Sequence, residues 1–365
     1  MSAHEMLIYI MAGFAVLGAL DRIFGNRFGL GEEFENGILA MGSLAVAMLG
    51  IICLAPVLAS LLAPVVVPVY SFLGADPAMF AGTILACDMG GASLAQELAL
   101  TPEAAALGGL LAGSMLGATI VFTIPVALGI LREEDRPALA KGILCGIVTI
   151  PAGLVVGGLV AGFPVTMVLR NLIPVAIIAA LIAFGLWKWE KAMIKGFQVF
   201  GKGVIVVITV GLAAAIFESL TGIVLIPGLA PLSDGFETVG EIAIILAGAF
   251  PLVYTVTKLL RKPLISFGKR LGINDTAAAG LIASLANSIA TFGMVKDMDD
   301  RGKVVNIAFA VSAAFVFGDH MGFTAGFDPQ MLPAVIAGKL VGGAAAVAVA
   351  LLLTRKQKSQ KDAEE

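Results

Sequence analysis

Charge is what this sequence lacks most. Only 13% of its 365 residues are charged, against roughly 25% in a soluble domain, so the chain cannot cover itself with a water-facing surface. Cysteine is sparse too: Cys53, Cys87 and Cys145 all lie inside apolar runs. An odd, scattered set gives no disulfide framework and no metal-ligand spacing. The two histidines, His4 and His320, are far apart in sequence, which argues against a haem or zinc centre, so neither metal nor cofactor is expected. No GxxxxGK[ST] phosphate loop is present, which speaks against ATP-driven chemistry in this chain. Nor is there a nucleophile–base motif, so no catalytic residue is assigned and an enzyme is not expected. The N-terminus, Met1-Ser2-Ala3-His4-Glu5, lacks the basic stretch of a cleavable signal, so the first apolar run reads as mature structure.

What the chain has in abundance is apolar length. Hydrophobic residues make up 59% of it and the mean hydropathy is +1.00. A membrane-crossing helix needs about 20 apolar residues, and eleven such segments can be marked, near 6–24, 37–62, 77–100, 103–130, 138–163, 165–187, 203–226, 237–260, 275–294, 303–326 and 329–353. The 44 glycines suit close helix packing in lipid. The fold class is therefore an all-α polytopic membrane protein with a lipid bilayer as its solvent.

The basic residues set the orientation. Of 23 Lys and Arg, all but Arg170 and Lys339 fall at the ends of segments, between them or in the tail. If all eleven segments cross, these residues divide between the two faces. If 77–100 and 275–294 instead enter and leave by the same face, every one falls on a single side, as the positive-inside rule favours. That arrangement leaves nine crossings of an inner membrane, an outside N-terminus and a cytoplasmic C-terminus. Both special segments carry polar breaks: Asp88, Gly90, Gly91, Gln96 and Glu97 in the first, Asn287 and Ser288 in the second. Such breaks survive at membrane depth only where protein or a wet cavity surrounds them.

An offset of 200 residues carries segments one to four onto seven to ten and lays Leu85-Ala86-Cys87-Asp88 on Leu285-Ala286-Asn287-Ser288. The expected organisation is a first repeat over 1–163, a linker helix and cytoplasmic loop over 164–202, a second, inverted repeat over 203–353 and a cytoplasmic tail over 354–365. Inverted repeats with broken helices near the midplane are the architecture of secondary transporters. A homodimer would suit such a repeat, although no residue specifies one.

Ionisable residues inside membrane segments are costly enough to mark function. Asp88 precedes a Gly-Gly break and could point a carboxylate into a cavity; its bland alternative is a local cap. Asp319 and His320, flanked by glycines in segment ten, form an expected buried pair able to bind a cation or hold a proton; an ion pair between helices would serve as well structurally. Asn287 and Ser288 offer neutral partners for a hydroxyl or amine. Glu218 and Lys339 are expected to pair with each other. Gln96 and Glu97 lie toward the outer mouth. The basic run Lys258–Arg270 reads as an anchor beside anionic lipid, not as a nucleic-acid surface.

Cys87-Asp88-Met89-Gly90-Gly91, Leu285-Ala286-Asn287-Ser288-Ile289-Ala290-Thr291-Phe292, Gly318-Asp319-His320-Met321-Gly322-Phe323 and the Ala-Gly-Lys339-Leu-Val-Gly-Gly stretch resemble motifs of the bacterial ethanolamine permease family, EutH. The resemblance covers essentially the whole chain and implies uptake of ethanolamine, a small cation with one hydroxyl. Asp88, Asp319, Asn287 and Ser288 supply matching groups. A channel for small ammonium-like cations is the alternative, and the coupling ion is left open.

Overall fold

The computed structural model describes residues 2–361, with side chains left out at 3, 190, 194, 260–262, 264–267, 269 and 355–361. Every regular element among the described residues is helical. Eight helices are long and apolar enough to cross a membrane: His4–Ile23, Leu30–Phe72, Pro102–Ile130, Glu133–Val160, Val165–Trp189, Lys191–Thr221, Leu232–Leu259 and Pro329–Thr354. They correspond to segments one, two, four to eight and eleven of the sequence. The other three segments are each built from two shorter helices.

In chain order the elements are α1 (Ala3–Ile23), α2 (Leu30–Phe72), α3 (Ala78–Ile84), α4 (Gly91–Leu98) and α5 (Pro102–Ala106). α5 runs on through wider π-helical turns, Leu107–Gly117 and Thr119–Thr123, into α6 (Ile124–Ile130). Next come α7 (Arg136–Ile147), α8 (Ile150–Val160), α9 (Val165–Thr221) and α10 (Leu232–Leu271). The last five are α11 (Asp275–Ala286), α12 (Ser288–Met294), α13 (Asp300–Ala313), α14 (Asp319–Phe327) and α15 (Leu332–Lys361).

Several boundaries depart from the sequence reading. The expected loop over 188–202 is helix: α9 continues through it with a single kink at Trp189 (φ −133°, ψ 47°). Residues 190–195, Glu-Lys-Ala-Met-Ile-Lys, are mostly good helix formers and contain no proline, so nothing there stops the helix. α2 starts before and ends after the expected 37–62, absorbing Pro56, Pro64 and Pro68. α10 likewise continues past 260, so the basic anchor is helical in backbone, and most of its side chains lie outside the described residues. The expected polar tail continues α15 as far as Lys361, and 362–365 lie outside the described residues.

Segments three and nine share a construction. In the first, the Asp76 carboxylate accepts from Ala78 N at 2.9 Å, where α3 starts, and from Leu100 N at 3.1 Å, beyond the end of α4. Asn171 on α9 accepts from Asp76 N at 2.7 Å. In the second, Asn274 caps Ala277 N at 2.9 Å, and its own backbone N–H donates to Asp299 Oδ1 at 2.8 Å. Its side-chain amide donates to the Asp297 carbonyl at 3.0 Å. Each segment is thus a hairpin whose two ends are bonded together, with its tip at 85–90 or at 287.

Breaking helices exposes backbone groups that an apolar surround cannot satisfy, and the breaks here satisfy one another. Segment ten unwinds over 314–318, with Phe315 at φ +62°. Phe315 N donates to the Ser284 carbonyl at 3.0 Å and Phe317 N to the Leu285 carbonyl at 2.9 Å, so α11's last turn finds partners in the unwound strand. At the first tip, the Ala86 carbonyl accepts from Met89 N at 3.1 Å and Gly91 N at 2.8 Å. Gly90 takes φ +93° beside Ile51, whose side chain a Cβ there would overlap.

α2 packs against α10, α1 against α10, and the second half of α9 against α2. These contacts are close because glycines leave room: a Cβ on Gly50 would overlap the Ile208 carbonyl oxygen, and one on Gly248 the Met11 carbonyl oxygen. Around this group, α3 lies on the π-helical run, α11 on α13, α7 on α13, and α15 on both the π-helical run and α8. The outer surfaces stay apolar: Phe72 is 90% exposed, Leu220 80% and Leu61 69%. Apolar exposure repeated along whole helices is what a lipid-facing surface requires.

Candidate functional site

Two adjacent residues define the site by pointing apart. Gly318 ends the unwound strand and α14 begins at Asp319, where a carboxylate in the first turn is favoured by the helix dipole. Asp319 lines a cavity of about 700 Å³ together with Asn287, Gly318 and Phe317. Tyr254, Thr257 and Lys258 of α10 and Glu33 of α2 line it as well. Asn287 sits at the second hairpin's tip in extended backbone (φ −156°), with its side-chain oxygen accepting from Ile289 N at 2.8 Å. Lys258 Nζ lies 3.4 Å from the Tyr254 hydroxyl. The cavity therefore offers two carboxylates, an ammonium, amide and hydroxyl groups, and the Phe317 ring.

His320 turns the other way. It is buried, and the expected Asp319–His320 pair is not what the structure holds, because consecutive helical residues project about 100° apart. Instead His320 Nε2 faces Asp88 Oδ1 at 3.8 Å, and its Nδ1 lies 3.1 Å from Lys339 Nζ. Lys339 is fully buried and also donates to the Ser114 carbonyl at 2.6 Å, within the π-helical run. The Phe315 ring lies 5.2 Å from the His320 ring. Lys339 thus does not pair with Glu218, as the sequence suggested. Glu218 lies on α9, and its Oε2 has no hydrogen-bond partner among the described residues.

The other expected residues fall as follows. Ser288 is fully buried, and its hydroxyl lacks a partner among the described residues; it does not line the cavity. Gly90 and Gly91 shape the first tip. Gln96 and Glu97 are exposed, and Gln96 lines a second cavity of about 360 Å³ with Thr101, Phe327 and Asp328. Phe292 and Phe323 are buried, and Phe323 stacks on Phe327 at 5.1 Å.

One grouping was invisible in the spacing: Cys87 Sγ, an Asp88 oxygen and a His320 nitrogen lie within 4.8 Å of one another. Three such donors can hold a metal ion, but Lys339 argues against that use. With the ammonium donating to Nδ1, the neutral ring carries its hydrogen on Nε2, and that nitrogen has no lone pair to offer. The set reads instead as a polar chain, with Lys339 hydrogen-bonded to His320 and His320 facing Asp88 from just beyond hydrogen-bond distance. Other residues the sequence reading passed over are Asp76 and Asn274, which pin the hairpins, and the buried ion pair Asp135–Lys303 at 2.6 Å between the α6–α7 connection and α13. Asp76-Pro77 and Asn274-Asp275 are turn and cap signals; nothing local marks the ion pair.

The family model described as "Ethanolamine utilisation protein, EutH" matches residues 3–353. A Listeria monocytogenes protein named probable ethanolamine permease EutH is 59% identical over 365 residues, covering 100% of this chain and 98% of the relative. Proteins of the same name from Escherichia coli and Salmonella typhimurium are 50% and 49% identical, each covering 98% of this chain and 97% of the relative. No solved structure matches the chain. With its long apolar helices and this match over nearly its full length, the multi-pass membrane protein belongs to the EutH family of ethanolamine utilisation proteins.

Proposed function

We propose that the protein is a carrier for ethanolamine in its ammonium form, moving it across the bacterial inner membrane to the cytoplasm by alternating access. The observation that carries this reading is the cavity where Asp319 and Asn287, from two different helix breaks, line one space. The carboxylate suits the ammonium, the amide and hydroxyl groups suit the single hydroxyl, and Phe317 offers a face to the cation. The names of the relatives, probable ethanolamine permease, agree with it.

The contact pattern supports an inverted repeat. Exchanging segments one to five for seven to eleven turns α1 on α10 into the second half of α9 on α2, and α3 on the π-helical run into α11 on α13. It also turns α7 on α13 into α15 on the π-helical run. The two hairpins exchange, each entering from its own face and returning to it. On this reading segment ten also crosses, which brings the eight long helices to nine crossings, and the basic residues between segments and in the tail lie on the cytoplasmic side. The larger cavity, rimmed by Glu33 and Lys258, then opens to the cytoplasm, and the smaller one at Gln96 and Asp328 to the outside. His320 and Phe323 of α14 are buried, and the His320 ring packs on Phe315 of the unwound segment. This is an inward-facing carrier, closed on the outer side.

Counterflow decides between carrier and channel. Proteoliposomes loaded with unlabelled ethanolamine should take up labelled ethanolamine transiently above equilibrium, and external unlabelled substrate should compete. A channel gives no overshoot. Absence of overshoot overturns the carrier reading, and absence of competition overturns ethanolamine as its substrate.

A further inference from the structure

The binding step leaves one set of side chains unused, and they are connected. Lys339 Nζ, His320 and Asp88 form a chain with separations of 3.1 and 3.8 Å, anchored at one end by the Ser114 carbonyl. The chain joins three elements that the fold keeps distinct: the first hairpin, α14 and α15. At its far end Asp88 retains 17% side-chain exposure, whereas His320 is 4% exposed and Lys339 0%. Only one end of the chain is therefore partly open.

An imidazole with a donor on one nitrogen and an acceptor facing the other can pass a proton without becoming an ion for long. Here Nδ1, hydrogen-bonded to Lys339, accepts a proton from its ammonium, and Nε2 releases its hydrogen to the Asp88 carboxylate when that 3.8 Å separation closes to hydrogen-bond distance. One N–H bond breaks at Lys339 and one forms at Nδ1; one breaks at Nε2 and an O–H forms at Asp88. The ring ends neutral in its other tautomer, and an ammonium and a carboxylate become an amine and a carboxylic acid. No outside reactant is needed. The exchange removes two opposite charges from a place where separated charges are expensive. The titratable groups around it are Cys87 beside Asp88 and Asp319 beside His320. Asp319 lines the cavity, so a cation captured there alters the field one residue from the relay.

We infer that Asp88, His320 and Lys339 form a proton-transfer path that couples substrate movement to proton movement, with Asp88, its one partly exposed member, as the end that exchanges protons. The inference rests on the carrier reading above, and one preparation separates the two. Full-length protein is reconstituted in proteoliposomes with a trapped pH dye; counterflow of labelled ethanolamine and the luminal pH change driven by an ethanolamine gradient are both read. Protein-free vesicles set the background from diffusion of the free base. The wild type should show both signals. His320→Gln keeps a donor and an acceptor but cannot titrate, and Lys339→Met fills the same volume without a proton to give. In both, proton movement should fall at least about tenfold while counterflow stays within about threefold.

Failure of counterflow in the wild type overturns the carrier reading itself. Wild-type counterflow without substrate-driven proton movement overturns the coupling alone. Proton movement retained in both variants also overturns it. Loss of counterflow along with proton movement in both variants does the same, because the chain would then serve folding or binding.

Discussion

Replacing Asp319 by Asn changes almost nothing but charge, and its effect can be estimated from the site. Asp319 shares its cavity with Asn287 and Phe317, so the variant keeps its shape and its hydrogen-bonding oxygen while losing the counter-ion for the ammonium. A hydrogen bond to a charged group contributes about 1.5–3 kcal/mol. A cavity of about 700 Å³ is far larger than a four-heavy-atom substrate, so water shares the space and screens the pair. The lower half of that range applies, about 2 kcal/mol, equivalent to about a 30-fold rise in KM. The loss of a first-turn carboxylate from α14 should cost only about 0.5 kcal/mol of stability, so the variant should fold. Initial rates of labelled ethanolamine uptake into proteoliposomes, measured across substrate concentrations, give KM and maximal rate separately. A KM within about twofold of wild type, with normal incorporation, would remove Asp319 from the binding site and refute the reasoning.

Three further substitutions test the fold and the limits of the site. Ser288→Ala removes a buried hydroxyl without a partner among the described residues, so thermal stability should hold or rise by up to about 1 kcal/mol with KM unchanged; a large rise in KM would return Ser288 to the site. Asp76→Ala frees both ends of the first hairpin and should cost about 2–3 kcal/mol, read as a lower melting temperature in detergent, whereas an unchanged melting temperature would mean the pins carry no weight. Asp135→Asn weakens the 2.6 Å pair with Lys303. Because Lys303 keeps 17% exposure, the loss should be about 1–3 kcal/mol, below that of a fully buried pair, and stability unchanged in low salt would count against it.

The broken segments were legible in the sequence because polar residues inside apolar runs are expensive enough to need a reason. Asp88 with Gly90-Gly91, Asn287-Ser288 and Gly318-Asp319-His320 all fall at real breaks in the helices. What sequence supplies is position along the chain, and it says little about lateral neighbours. Glu218 and Lys339 were matched for want of any better partner, yet Lys339 reaches Ser114 and His320 instead. Asp319 and His320 looked like a pair because they are adjacent, and adjacency on a helix separates side chains. The loop expected over 188–202 rested on its charge, but a charged stretch without proline can stay helical, and α9 does. Ser114 was invisible because its role lies in a backbone carbonyl, which no side-chain pattern reports.

Access to the larger cavity is the most direct measurement of the whole account. Ala283 on α11 lines that cavity, and the three native cysteines are buried and can be replaced. In a cysteine-free background, Ala283→Cys should react with a membrane-impermeant thiol reagent in inside-out vesicles, and ethanolamine should slow the reaction. Labelling only from the periplasmic side, or a rate indifferent to ethanolamine, would contradict a cytoplasm-facing substrate cavity between the second hairpin and α14.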